Sequence, residues 1–382
     1  MGMLYILAVC LLFFGVWAIF KDDWKLSPRS VFWLLLLIIF IGTSVRLFPI
    51  YTYAYSEMGS YDIDATFFSL GHTIYADGAR YNYSPIWFIT TGLLGKLSCH
   101  CPWSYSFTIR SFLTLIDLLT LFFLILIAKE EKISMVKTAT LFYLNPISFI
   151  ITGFHCQFDN FAILMIIVGI YAYIKLGRES VLGKILLWGF ATLGMYVKQI
   201  VVYEILACLN FVFKSNWKKI MAFGLSAVGF FLLFVPYWKH DHAWITQNVF
   251  HYSSLPGLYG IGTICTAYKL KKLFILGFLL FPFFVRAKDI VIQCLWGMLF
   301  FLTFTTGISP QYFVLPLALG ALRPSKGFFV YSLFVTIFIL GYEPTFHWWP
   351  CKDFQWNFAW IGAVYWFVTS QYVVTFKRIT SL

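Results

Sequence analysis

The feature that most limits what this chain can fold into is a succession of apolar runs separated by short basic loops. Val31 to Pro49, Phe107 to Ala128 and Ile220 to Trp238 each approach the ~20 residues that a helix needs to cross about 30 Å of hydrocarbon. Backbone in lipid has no water to bond to, so such runs satisfy their own N–H and C=O groups as helices. Composition agrees. The chain is 60% hydrophobic and 12% charged, against about 25% charged for soluble domains. Aromatics reach 21%, and Trp and Tyr collect at membrane interfaces. The net charge of +12 does not point to nucleic acid, because Lys and Arg lie scattered between apolar runs and form no basic face.

Taken in order, the runs predict an all-α, polytopic membrane protein with about 13 crossings, residues 1–382 making one integral-membrane domain. Met3 to Phe20 has neither a basic leader nor a small-residue cleavage site, so it is expected to be a retained helix. The loops at 21–29, 129–137, 175–184, 214–219, 286–288, 323–326 and 377–378 carry most of the Lys and Arg. The positive-inside rule makes that side cytoplasmic. The other side receives 51–106, 155–159, 198–199, 239–272, 307–311 and 342–356. Residues 51–106 form a large first non-cytoplasmic loop, with an interfacial helix over 65–76 and a re-entrant or interfacial piece over 86–97. Residues 239–272 form a second long loop with a Pro256-Gly257 turn.

That topology gathers Asp62, Asp64, His155, Asp159, Lys198, His251 and Gln311 on one face. Asp62 and Asp64 cannot share a helical face at i and i+2, but in a loop they can converge. Converging carboxylates can act as a general base or hold a divalent cation such as Mg²⁺ or Mn²⁺. The remaining groups have plainer readings. Lys198 can snorkel to the interface, Asp159 can cap the helix that follows, and Arg110 and Asp117, two turns apart, can form a structural ion pair. Cys99-His100-Cys101 lacks zinc-type spacing and reads as apolar filler or exposed thiols, with metal binding as the alternative.

Four segments carry a family likeness. They are Tyr61-Asp62-Ile63-Asp64 with Tyr81-Asn82-Tyr83-Ser84-Pro85, Asn145-Pro146 with Gln157-Phe158-Asp159-Asn160, Lys198 at the end of an apolar run, and Ser309-Pro310-Gln311-Tyr312-Phe313. In this order they resemble segments of the GT-C superfamily of integral-membrane glycosyltransferases, nearest to the polyprenol- or dolichol-phosphate-mannose-dependent mannosyltransferases. The resemblance covers residues 45–320 or so. It implies an inverting transfer of a sugar, mannose favoured, from a polyprenyl-monophosphate carrier to a glycan or glycolipid acceptor. It implies Asp62, and second Asp64, as the base that takes the acceptor proton, either of them also a ligand if a divalent cation takes part. Lys198, Arg110, His251 and Tyr312 would meet the lipid phosphate, and His155, Gln157, Asp159 and Gln311 would complete the substrate site. The expected location is a bacterial inner membrane with the site toward the periplasm; the alternative is the endoplasmic reticulum with a lumenal site. The competing functional readings are a transporter or flippase of polyprenyl-linked glycans, and a glycan polymerase or ligase. Transporters more often show internal repeats, and none is visible here.

Overall fold

Polar caps set several of the helix starts. Ser27, Ser104, Ser134, Asn145, Ser180 and Asp289 each accept a hydrogen bond from a first-turn N–H. Such bonds satisfy donors that a helix start otherwise leaves unpaired. The computed structural model describes residues 8–15, 26–48, 56–75, 81–251, 287–305 and 309–342, with the single positions 276, 277, 280 and 364. All regular structure among the described residues is helical.

Residues 8–15 are helical. The helices that follow are α1 (Pro28–Leu47), α2 (Ser56–Ser69), α3 (Pro85–Cys99), α4 (Tyr105–Glu130) and α5 (Met135–Tyr143). A short α6 (Pro146–Phe149) runs into a π-helical turn, Ile150–Phe154. Next come α7 (Asp159–Lys175), α8 (Val181–Val197), a 3₁₀ turn at Gln199–Val201, α9 (Val202–Val212), α10 (Asn216–Leu232) and α11 (Val235–Ile245). The last are α12 (Ile290–Phe304), a 3₁₀ turn at Pro310–Val314, α13 (Leu317–Leu322) and α14 (Lys326–Tyr342). Helix α7 packs between α4 and α8, α8 continues the layer to α9, and α9 meets α12. Helix α1 lies across α4 and α5.

Among the described residues α1 and α4 are long and apolar enough to cross a membrane, and α10 with residues 235–250 makes a third candidate if taken together. Their outward faces are apolar. Phe32, Leu36 and Phe40 follow one another on α1, and Met221, Leu225, Val228 and Leu232 on α10, all exposed. Stripes at i, i+3 and i+4 spacing that face away from the bundle are surfaces for lipid.

Three sequence expectations change. Helix α2 starts at Ser56 and ends at Ser69, so the helix expected over 65–76 lies earlier and contains Asp62 and Asp64. The run Ile220–Trp238 is not one straight crossing. It bends by 88° after Leu232, where Pro236 in the first turn of α11 lacks the N–H that a continuous helix needs. Of the second long loop, 239–251 is helical through α11 and a π-helical turn at Thr246–Phe250. Its remainder, 252–272, lies outside the described residues, as does most of the expected crossings at 273–285 and 358–376.

The bundle has two chemically different ends. At one end ion pairs join Lys175 to Glu130, Arg178 to Glu131, and Arg323 to both Glu131 and Asp289. These are the loops that the charge pattern assigns to a common side. At the other end Asp241 accepts a hydrogen bond from Thr73, Tyr61 donates to the Cys156 carbonyl and Lys198 donates to Asp159. The 26 residues of α4 span between the ends, about 39 Å at 1.5 Å per residue.

Candidate functional site

Helix α2 sorts its two aspartates by face. Residues two apart in a helix point about 200° from each other, whereas i and i+3 are neighbours. Tyr61 and Asp64 are therefore buried together, while Asp62 and Ile63 face outward. The convergence expected of Asp62 and Asp64 in a loop does not occur, because the segment is helical. A cation held by both carboxylates does not fit this arrangement. Partial burial still pushes the Asp62 carboxyl up from its ordinary value. The phenols of Tyr75 and Tyr81 are pushed well up, first by burial and then by neighbouring groups that include Asp64.

Aromatic contacts pin α2 to the loop before α7. Tyr61 meets Trp87 edge-on at 5.2 Å, and Trp87 stacks on Phe158 at 4.0 Å and 6°. The Tyr61 hydroxyl donates to the Cys156 carbonyl at 2.9 Å, and Tyr105 donates to the Tyr61 carbonyl at 3.0 Å. Cys156 sits in the left-handed region with φ 53°, a conformation that costs a side-chain-bearing residue on the order of 1 kcal/mol or more. The sharp turn it makes leaves His155, Gln157 and Asp159 all buried.

Lys198 completes the cluster. Helix α8 stops at Val197, and Lys198 leaves it with extended backbone, φ −146° and ψ 110°. Its side chain turns into the bundle and is 2% exposed, so it does not snorkel. The Nζ donates to Asp159 Oδ2 at 2.7 Å. It also lies 4.4 Å from the Phe158 ring centre, 5.2 Å from Tyr83 and 5.9 Å from Tyr312. Cations over aromatic faces are stabilised by the ring quadrupole. Asp159 is the first residue of α7, and its carboxylate is given to Lys198 rather than to a helix cap. Gln157 Oε1 and Asp159 Oδ1 are buried acceptors without a hydrogen-bond partner among the described residues. Buried acceptors left unmet cost about 1–3 kcal/mol each, so this cluster can take up hydrogen-bond donors.

The flanking segments hold this cluster in place. Ser84, just before α3, donates to the Tyr196 carbonyl, and Gln199 Nε2 donates to the Asn82 carbonyl at 2.5 Å. The Tyr81–Pro85 segment is thereby docked on the end of α8 that carries Lys198. Asn145 does structural work: its amide donates to Ser332 Oγ at 3.0 Å, and its oxygen caps α6.

Not every expected residue joins the cluster. Arg110 is buried but donates to the Gly153 carbonyl and, at 3.5 Å, to Ser106 Oγ. Arg110 is not the partner of Asp117. That partner is Arg46, whose Nε donates to Asp117 Oδ2 at 2.8 Å with both side chains fully buried. Arg46 also donates to the Tyr143 carbonyl and Ser148 Oγ, and Asn160 donates to Asp117 Oδ1 at 2.6 Å. His251 is exposed where the π-helical turn after α11 closes. Gln311 accepts from Ser309 in its own turn. Among the buried charges that escaped the sequence reading are Arg46 on α1 and Glu204 on α9. Each stands alone in an apolar run, and an ionisable group in such a run is itself a signal of a buried role.

No family model matches this sequence, and no curated protein is significantly similar to it.

Proposed function

We propose that this chain is a glycosyltransferase of the GT-C type with about 13 crossings. It moves a sugar, mannose favoured, from a polyprenyl-monophosphate carrier to a glycan or lipid-linked acceptor on the non-cytoplasmic face of a bacterial inner membrane. One observation carries the reading: a buried, aromatic-ringed Lys198 lies beside the unmet acceptors of Gln157 and Asp159, at the end of the bundle that holds Asp64.

The chemistry follows from these groups. An acceptor hydroxyl attacks the anomeric carbon, the bond from that carbon to the phosphate oxygen breaks, and the configuration inverts. The hydroxyl proton passes to Asp64, which faces inward with Tyr61. The departing phosphate keeps the electron pair, and its growing charge needs a cation close by. Lys198 has three N–H donors, and the bond to Asp159 uses one of them. Gln157 and Asp159 accept hydroxyls of the sugar. If a divalent cation takes part, one of the two α2 carboxylates holds it.

The test incubates purified protein with a panel of polyprenyl-phosphate sugars and measures released polyprenyl phosphate and glycosylated product. Asp64→Asn is expected to lose about 10²–10⁴-fold in rate, and Asp62→Asn less than about tenfold. The reverse ranking moves the base to Asp62. Folded wild-type protein that transfers from no donor in the panel overturns the reading.

A further inference from the structure

At the end of the bundle remote from Lys198 a cavity of about 620 Å³ opens between the start of α1, the α4–α5 turn and the end of α13. That volume lies within the ~300–1,000 Å³ of small-molecule pockets. Leu26, Val31 and Leu322 supply apolar wall, and Lys132, Lys137 and Thr138 supply polar groups. Among the described residues no carboxylate lines it.

The charge balance around this cavity is uneven. Glu130, Glu131 and Asp289 are each engaged by Lys175, Arg178 or Arg323, and Glu179 by Lys184. Lys132 and Lys137 have no ion pair among the described residues. Lys132, just beyond the end of α4, lies in the left-handed region, φ 56°, which turns the chain back toward α5. The α5 N-terminus, capped by Ser134, therefore opens beside the two lysines, and its dipole adds positive potential there.

The surroundings select the kind of anion. Immediately beyond Val31 the exposed Phe32 and Trp33 begin the outward apolar stripe of α1. The cavity mouth thus lies where a lipid-facing surface meets a charged bundle end. We propose that this cavity binds the headgroup of an anionic phospholipid, its phosphate against Lys132 and Lys137 and its acyl chains along α1. The site is separate from the cluster around Lys198 and does not depend on the transferase reading.

The experiment places the full-length protein in phosphatidylcholine nanodiscs that contain a minor fraction of phosphatidylglycerol, then extracts it and counts bound lipid by native mass spectrometry. Wild type is expected to retain phosphatidylglycerol in preference to phosphatidylcholine. Lys132→Gln with Lys137→Gln is expected to lower that retention by about tenfold, as befits two surface lysines facing an anionic headgroup. Val31→Trp, which fills the cavity and keeps both charges, is expected to lower it as well. It serves as the test if the double variant does not fold, as judged by its elution and unfolding temperature in phosphatidylcholine. Equal retention of the two lipids, or retention unchanged in the variants, overturns the proposal. So does complete displacement of the lipid by inorganic phosphate, which would make this a site for free phosphate.

Discussion

Lys198 and Asp159 hold each other in a place where neither would rest alone. Burying a charge is costly, and removing one partner of a buried pair typically destabilises by about 3–5 kcal/mol, because the other charge remains. Lys198→Ala is therefore expected to lower the unfolding temperature sharply in detergent. The double change Lys198→Met with Asp159→Leu is expected to recover most of the loss, a coupling that a double-mutant cycle reads directly. If the two single losses simply add, the pair is not energetically coupled. The residues themselves were legible in the sequence as candidates. Their pairing was not, since 39 positions separate them and only the break at the end of α8 turns Lys198 inward. The same holds for Asp62 and Asp64, whose roles part only once their segment is helical.

Elements in this protein meet closely where glycines allow it. A Cβ on Gly153 would lie 2.9 Å from the Arg46 Cα and 3.1 Å from its carbonyl, both backbone atoms that cannot swing aside. Gly153→Ala is expected to destabilise by about 1–3 kcal/mol by forcing the π-helical turn away from α1. Gly189 is the contrast, for it sits in α8 with nothing within 4 Å of an added Cβ. Gly189→Ala is expected to stabilise by about 0.5–1 kcal/mol through helix propensity alone. Thermal unfolding of both variants checks the opposite signs. The Arg46 side chain ties α1 to further elements, joining it to α4, α5 and α6. An apolar run that contains one arginine announces a buried partner, but not which acid it will be. Arg110 stands closer in sequence to Asp117 and still does not take it.

For the whole molecule, the prediction concerns its two ends. In a background without the eight native cysteines, Thr66→Cys on α2 and Glu179→Cys beyond α7 both present exposed positions. A membrane-impermeant thiol reagent applied to intact cells is expected to label Thr66→Cys, and to label Glu179→Cys only after permeabilisation. The opposite pattern inverts the orientation, and labelling of both from one side removes the two-ended arrangement. The separation of the ends was readable from the sequence because hydropathy and charge are properties of short windows, each of which adds up locally along the chain. That local sum determined the helical class, the positions of most helices and the loops that share a face. The inward choice of Asp64, the match of Arg46 with Asp117 and of Lys198 with Asp159, and the break after Leu232 were decided by tertiary structure alone. These depend on distances between segments far apart in sequence, and close packing sets those distances only when the helices come together.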